Sequence, residues 1–212
     1  ILLDTKYNRS AYKKDPTPKE ERLKVGKVGG YLPDEDSAKT HLGTEQWGWL
    51  ESELKKPAEL RLICSSTQVI PNQKGMDEWG NFPLERQRLF DLVAKTNAKG
   101  VILLSGNVHF AELSRYGQAA YPLLELTSSG MTHINELYGK AANDYRIGEP
   151  YIAHNFGMVE INWDAKSSPS ITLKAIGEDG SIGFTHRLRL DELQPRANDA
   201  TKLWTRCTVP RP

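Results

Sequence analysis

Two side chains that can bind metal ions stand together at the end of an apolar run. Residues 101–105 are apolar or small, Gly106 ends the run, and Asn107 and His109 follow with one apolar residue between them. Side chains two apart in an extended segment point the same way, so both can reach one site. A neutral imidazole nitrogen is a frequent ligand of zinc and iron, and an amide oxygen suits harder cations. The spacing alone leaves two interpretations open, a metal site and a hydrogen-bonded structural role for His109.

Two amphipathic helices are predicted upstream of this segment. The first spans residues 44–57, with Thr44 as the expected N-cap and Pro57 at its end. The second spans residues 83–100 and has Pro83 in its first turn. Each helix presents one apolar stripe to a core, formed by Trp47, Leu50 and Leu54 in the first and by Leu89, Leu92 and Val93 in the second.

The order of apolar segments favours an α/β (α+β) fold. Strands are predicted at residues 1–7, 60–66 and 101–105, and their alternation with the two helices is typical of a layered sheet with crossover helices. The second half contains the strand-like runs YPLLELTSS, NFGMVEINW, PSITLKAIG and SIGFTHRLRL, with a hairpin turn at residues 178–181. Ligands of open α/β sheets collect at the carboxyl ends of strands, which is where the predicted metal site stands.

Composition and charge argue against two classes of partner. Twenty-eight basic and 27 acidic residues leave a net charge of +1, which provides no electrostatic case for binding nucleic acid or an acidic membrane surface. No run reaches the roughly 18 apolar residues of a membrane span, and no signal peptide is visible. The chain opens without methionine on the apolar run ILLDTKY, so we expect upstream sequence to be missing.

Seven sequence blocks stand in order along about residues 1–190: LDTKYNRS, LGTEQWGWLESEL, LRLICSSTQVI, WGNFPLERQRLFDLV, VILLSGNVHFAEL, LTSSGMTH and NFGMVEINW. Together they resemble the PhoD-like alkaline phosphatase family of calcineurin-like metallophosphoesterases. The resemblance implies a layered αββα sandwich of the metallo-dependent phosphatase type. We expect this chain to hold the C-terminal half of that domain, followed by a polar tail at 191–212.

The resemblance also implies a cofactor and a class of substrate. The cofactor is a centre of divalent or trivalent metal ions, dinuclear in the family, with iron, calcium, zinc or manganese as candidates. The substrate is a small-molecule phosphoester. An extracytoplasmic location, periplasmic or secreted, is implied in the same way, whereas the oligomeric state is not.

The terminal motif of the family, Gly-Asp-x-His, stands here as Gly106, Asn107, Val108 and His109. The resemblance makes His109 a metal ligand and both His109 and Asn107 candidate catalytic residues. Asn107 departs from the pattern, because an amide oxygen keeps a coordinating lone pair but lacks the full negative charge of aspartate. We expect weaker binding of that ion, or a different ion, and reduced or lost activity. The family's remaining ligand motifs do not occur in these 212 residues, so this chain is expected to supply part of the site.

Four further residues are candidates for binding the substrate: Gln68, Trp79, Asn81 and Arg86. Gln68 follows a predicted buried strand and could face the site, with a turn-forming role as the alternative. Trp79 and Asn81 could line the pocket, and Arg86 could contact a phosphate. The alternative is that Trp79 packs the loop and Arg86 is a solvated helix residue.

Four histidines stand outside the motif, of which His154 precedes a predicted strand and is expected to be structural. His41 lies in the long polar segment 8–41 and is expected to be solvated. His186 alternates with apolar residues on one strand face, which predicts a partly buried ring. His133 follows the small residues of TSSG, and it could border the pocket or serve at a helix start or in a loop.

Two functions remain open from the sequence. The first is metal-dependent hydrolysis of phosphate mono- or diesters, of the alkaline phosphatase or phosphodiesterase type, with this chain supplying part of a dinuclear site. The second is a non-catalytic binding or scaffold module, in which Asn107 marks a degenerate metal site.

Overall fold

Ten strands and four α-helices form the part of the chain that the computed structural model describes, which is residues 1–164 and 167–195. The strands are β1 Lys13–Lys14, β2 Tyr31–Leu32, β3 Arg61–Cys64, β4 Val101–Ser105, β5 Ala111–Tyr116, β6 Leu123–Ser128, β7 Arg146–Tyr151, β8 Asn155–Asn162, β9 Ser170–Gly177 and β10 Ile182–Arg189. The helices are α1 Lys19–Lys24, α2 Gly43–Lys55, α3 Pro83–Lys95 and α4 Glu136–Gly139. Within the described ranges, no helix has the length and apolar character of a membrane span.

A five-stranded sheet with the order β3-β4-β6-β5-β7 lies at the centre of the fold. Strands β3, β4 and β6 are parallel, and α3 connects β3 to β4, whereas β5 and β7 are antiparallel to their neighbours. Parallel strands end at the same edge of a sheet, so the segments that follow β3, β4 and β6 meet there. This edge is the place where the predicted metal site falls.

A three-stranded antiparallel sheet, with the order β10-β9-β8, packs on one face of the central sheet. Successive side chains of β6 point to opposite faces of the central sheet. Gly157 of β8 lies against Leu126 and Ser128, whereas Glu125 accepts hydrogen bonds from the N–H groups of Val69 and Ile70 in the loop that leads to α3. One hydrophobic core joins the helices and both sheets. The predicted layered α/β fold is therefore confirmed.

Both predicted amphipathic helices are confirmed, with corrected ends. Their stripes are buried as expected, with Trp47, Leu50 and Leu54 in α2 and Leu89, Leu92 and Val93 in α3. The Thr40 hydroxyl accepts a hydrogen bond from the Gly43 N–H at 2.9 Å, so α2 begins at Gly43 and Thr44 lies inside it rather than capping it. Helix α3 already ends at Lys95, because Asn97 adopts left-handed backbone with φ of 51°.

The predicted strand at residues 1–7 is wrong in length. Leu2 forms an isolated parallel bridge to Cys64, and the chain then turns. The turn forms because the Asp4 carboxylate accepts hydrogen bonds from the N–H groups of Lys6 at 2.9 Å and Tyr7 at 3.0 Å.

Strands β1, β2, β5 and β7 are additions to the predicted set. A usable signal for β5 was the alternation AELS, in which Glu112 and Ser114 share one face. Strand β7 contains Gly148 and Pro150, residue types that are depleted in strands. At the start of the predicted polar tail, Leu193 is buried in the 3-10 helix Leu190–Leu193. Residues 196–212 lie outside the described part of the chain.

Candidate active site

The loop that follows β4 holds Asn107 and His109 in left-handed backbone, with φ of 72° and 59°. For most L-residues this conformation costs about 1–2 kcal/mol, although asparagine and histidine tolerate it better than others. The extended geometry that the sequence suggested for these two residues is therefore wrong. The loop is a strained segment, and strain of this kind is concentrated at functional sites.

Hydrogen bonds from two neighbouring segments hold the strained loop in place. The Ser129 Oγ, just after β6, accepts hydrogen bonds from the N–H groups of Val108 at 3.0 Å and His109 at 2.9 Å. The Asn135 N–H donates to the His109 carbonyl oxygen at 3.1 Å. Val108 is buried and anchors the loop, while His109 is half-buried and Asn107 is exposed.

The imidazole of His109 keeps its ring nitrogens out of the hydrogen-bond network. In residues 1–164 and 167–195, the hydrogen bonds of His109 are made by its backbone atoms. The ring lies among aromatic neighbours, with centroids 5.8 Å from His133 and 6.3 Å from Tyr138. A half-buried imidazole whose nitrogens make no hydrogen bond to the described residues is available to bind a metal ion.

The side chains at this edge are of types that bind transition-metal ions, but they are too few to form a complete ligand set. They comprise the imidazoles of His109 and His133 and the exposed amide of Asn107. Within the described ranges, no group of three or more His, Cys, Asp and Glu side chains is arranged to hold a metal ion. Any ion at this site therefore needs ligands in addition to these donors.

The four candidate substrate-binding residues are buried: Gln68, Trp79 and Asn81 in the loop between β3 and α3, and Arg86 in the first turn of α3. Gln68 donates to Glu112 Oε1 at 2.6 Å, and Trp79 donates from its indole nitrogen to Ser65 Oγ at 3.1 Å. Asn81 donates to a backbone carbonyl within the same loop.

Arg86 donates from Nε to the Val69 carbonyl oxygen at 2.8 Å and is 7% exposed. The alternative that Arg86 is a solvated helix residue is wrong, because the start of α3 packs against this loop. Trp79 does pack the loop, being fully buried. Contact of any of the four residues with a substrate stays a prediction.

Comparison with known proteins identifies the family. A family profile described as PhoD-like phosphatase matches residues 1–169. The chain belongs to the PhoD-like phosphatase family. It is also similar to a solved structure titled "Structure of PhoD", with a TM-score of 0.59 and 18% sequence identity over 92% of this chain and 40% of that chain. At this identity the likeness shows the fold, and the chain spans 40% of the length of that protein. No individually curated protein matches the sequence.

In the PhoD-like pattern, the residues of the terminal motif are the ones that the structure places in the strained loop. His109 occupies the histidine position and Asn107 the usual aspartate position. The roles of His109 and Asn107 as metal ligands and catalytic residues stay predictions.

A buried layer of charged side chains lies behind this edge of the PhoD-like fold. Lys74 and Glu112 are fully buried and form an ion pair, and Arg146 Nε contacts the other Glu112 oxygen at 2.6 Å. Burial by itself raises the pKa of Glu112, but Lys74 and Arg146 outweigh it and hold that pKa below its ordinary value. Gln68 Oε1 accepts a hydrogen bond from Lys74 Nζ at 2.6 Å, so Gln68 belongs to the same layer.

His41 is buried, contrary to the expectation that it is solvated. Its ring stacks on Trp79 with centroids 4.6 Å apart and an interplanar angle of 24°, and it contacts Phe82 at 4.9 Å. Among the described residues, neither ring nitrogen has a hydrogen-bond partner. Burial lowers the pKa of the His41 imidazole to about 4. The sequence offered no signal for this, because the aromatic neighbours come from distant parts of the chain.

Proposed function

We propose that this chain is part of a metal-dependent hydrolase of phosphate mono- or diesters and supplies His109 and Asn107 to a dinuclear metal centre. Membership of the PhoD-like phosphatase family supports the reaction class. The single structural observation that supports the site assignment is the half-buried His109 imidazole, which makes no hydrogen bond within residues 1–164 and 167–195 and lies at the carboxyl edge of the central sheet. The substrate is a small-molecule phosphoester.

Each residue of the loop has a separate task in this proposal. Metal ions in such centres activate water and neutralise charge on the leaving oxygen. His109 offers an imidazole nitrogen, and the Ser129 hydroxyl fixes its backbone. Asn107 offers an amide oxygen from the exposed tip of the loop. Because the amide carries no charge, it leaves more positive charge on a bound ion than aspartate would, and it holds the ion less tightly.

Hydrolysis of an aryl phosphomonoester and an aryl phosphodiester by the purified full-length hydrolase, of which this chain is a part, tests the proposal. We expect activity that is abolished by a chelator and restored by added zinc, manganese or iron. His109→Ala is expected to lower kcat/KM at least about 100-fold, because it removes a ligand of the centre. The same rate in wild type and His109→Ala would contradict the proposal.

A second function, that of a non-catalytic binding module, is favoured by one observation, the amide at position 107. Asn107→Asp in the full-length protein separates the two functions, because it restores the charge that the family pattern has. A large gain in hydrolysis supports a weakened enzyme. Absence of hydrolysis in both forms, with the fold intact by circular dichroism, supports the binding module.

A further inference from the structure

A second histidine stands beside His109 because the segment after β6 turns back toward the loop. The hydrogen bond from the Asn135 N–H to the His109 carbonyl oxygen, at 3.1 Å, ties residues 133–135 to the strained loop. As a result, the rings of His133 and His109 lie with their centroids 5.8 Å apart and their planes 34° apart. These residues are 24 positions apart in the sequence and meet only at the carboxyl edge.

The His133 ring has one nitrogen engaged and the other available. Its Nδ1 lies 2.9 Å from the hydroxyl of Thr132, which leaves Nε2 on the far side of the ring. Metal-binding histidines almost always have their second nitrogen held by a hydrogen-bond partner that orients the ring. His133 is exposed, so its Nε2 is accessible to an ion from solvent.

The separation of the two rings suits a shared ion. A ligand nitrogen lies about 2.0–2.1 Å from zinc, so two imidazoles on one tetrahedral ion have centroids roughly 5–6 Å apart. The observed 5.8 Å falls in that range, without movement of either backbone segment. Variants that keep the ring but remove its nitrogens separate binding of a shared ion from packing of the two rings.

We propose that His133 binds, through Nε2, the same metal ion as His109. The inference rests on the proposed function and extends it, because it adds a ligand outside the Gly106–His109 motif. It also assigns a class of ion to the position. Two imidazoles favour zinc, iron or another transition metal over calcium, which prefers oxygen ligands.

Binding of Zn²⁺ and Co²⁺ to the complete protein of which this chain is a part tests this inference independently of catalysis. The variants are His133→Phe and His109→Phe, which keep an aromatic ring for packing but remove the nitrogens. His186→Phe is the matched control, since His186 lines a cleft with Arg115 and Pro122 near the opposite end of β6. We expect each of the first two variants to weaken binding about tenfold or more, and the control to bind like wild type.

The imidazole resonances of His133 and His109 give a second readout. Zn²⁺ is expected to shift both sets of resonances together, at one stoichiometry. The inference is overturned if His133→Phe binds Zn²⁺ with wild-type affinity, or if saturating Zn²⁺ leaves the His133 resonances unmoved. Those results would leave the proposed function standing if His109→Phe alone lost metal and hydrolysis. If His109→Phe kept both metal binding and hydrolysis, the inference and the proposed function would both be wrong.

Discussion

Two polar regions of the molecule, the strained loop at residues 106–109 and the buried layer around Lys74, use their polar side chains in opposite ways. In the layer, Lys74, Glu112 and Arg146 satisfy one another away from water. In the loop, backbone groups are bonded to Ser129 while the His109 ring is left unbonded within the described residues. An unpaired buried group costs free energy, whereas a partly exposed one can bind water until a ligand replaces it. Side chains reserved for a ligand are therefore found where solvent reaches.

Breaking the buried layer is expected to have the largest effect on stability. Lys74→Met leaves Glu112 buried with one of its two cationic partners, and we expect the free energy of unfolding to fall by about 3–5 kcal/mol. Urea denaturation followed by circular dichroism measures this change. Lys55→Met is the control, because Lys55 forms an exposed pair with Glu51 in α2 and its loss should leave the midpoint unchanged. Equal midpoints for the two variants would contradict the importance of the layer.

His41 differs from both regions, because it is buried and has no hydrogen-bond partner among the described residues. We therefore expect it to make the free energy of unfolding depend on pH. The pKa of this imidazole falls from 6.5 to about 4 on folding, so between these values the unfolded chain binds a proton that the folded chain does not. The stability contributed by the neutral ring is complete above about pH 6.5 and is lost as the pH falls to about 4. Relative to His41→Phe, wild type should lose up to about 3 kcal/mol over this range.

Urea unfolding of both forms at a series of pH values from 7 to 4 measures this difference. Glu78 provides a control of opposite sign, since burial raises its pKa from 4.5 to about 7. In that window the folded state binds the proton more tightly, so Glu78 makes the protein more stable as the pH falls. Glu78→Gln should remove this gain. Parallel pH profiles for wild type and His41→Phe would show that folding does not lower the pKa of the His41 ring.

The anchoring of the loop is expected to have a smaller and local effect. Ser129→Ala removes the acceptor for the N–H groups of Val108 and His109, with an expected loss of about 1–2 kcal/mol. Amide hydrogen exchange at these two residues should become faster. Ser128→Ala is the matched control, because the Ser128 hydroxyl donates to Asn155 Oδ1 at 2.7 Å and does not contact the loop. Unchanged exchange at Val108 in Ser129→Ala would show that the loop is held by other contacts.

The smallest effect is expected from relieving strain at the tip of the loop. Asn107→Gly places the residue type that best tolerates φ of 72° and should raise the free energy of unfolding by up to about 1 kcal/mol. The same change removes the amide donor, so Zn²⁺ affinity should fall while thermal stability rises. A fall in both would mean that the Asn107 side chain stabilises the loop through contacts of its own.

Local patterns were sufficient for the helices and the main strands. The stripes of α2 and α3 are buried as their spacing predicts, because one helical face must pack on the sheet. The turn at residues 178–181 forms with Gly180 at φ of 81°, which its EDGS sequence favours. The predictions for the start of α2 and for the strand at residues 1–7 were wrong, since the side chains of Thr40 and Asp4 accept hydrogen bonds from backbone N–H groups there.

Residues joined across long sequence separations could not be predicted. Lys74 and Glu112 are of residue types that are usually exposed, yet both are fully buried. Nothing in the sequence near Lys74 indicates its burial. His41 lies in a polar segment, yet it stacks on Trp79. In both cases the burial of a polar residue depends on which distant segment folds over it.

From residue types and their order alone, one can assign the layered α/β fold, the strand end that carries Asn107 and His109, and the family resemblance. The first two follow from periodicity and spacing, which are properties of neighbouring residues, and the resemblance follows from the order of seven sequence blocks. The left-handed loop, its Ser129 anchor, the approach of His133 and the buried layer came from packing of the folded chain. The loop, its anchor and His133 need the segments that follow the parallel strands β4 and β6, whereas the buried layer needs the loop after β3 to pack against β5 and β7. Contacts over such sequence distances leave no local pattern in the sequence.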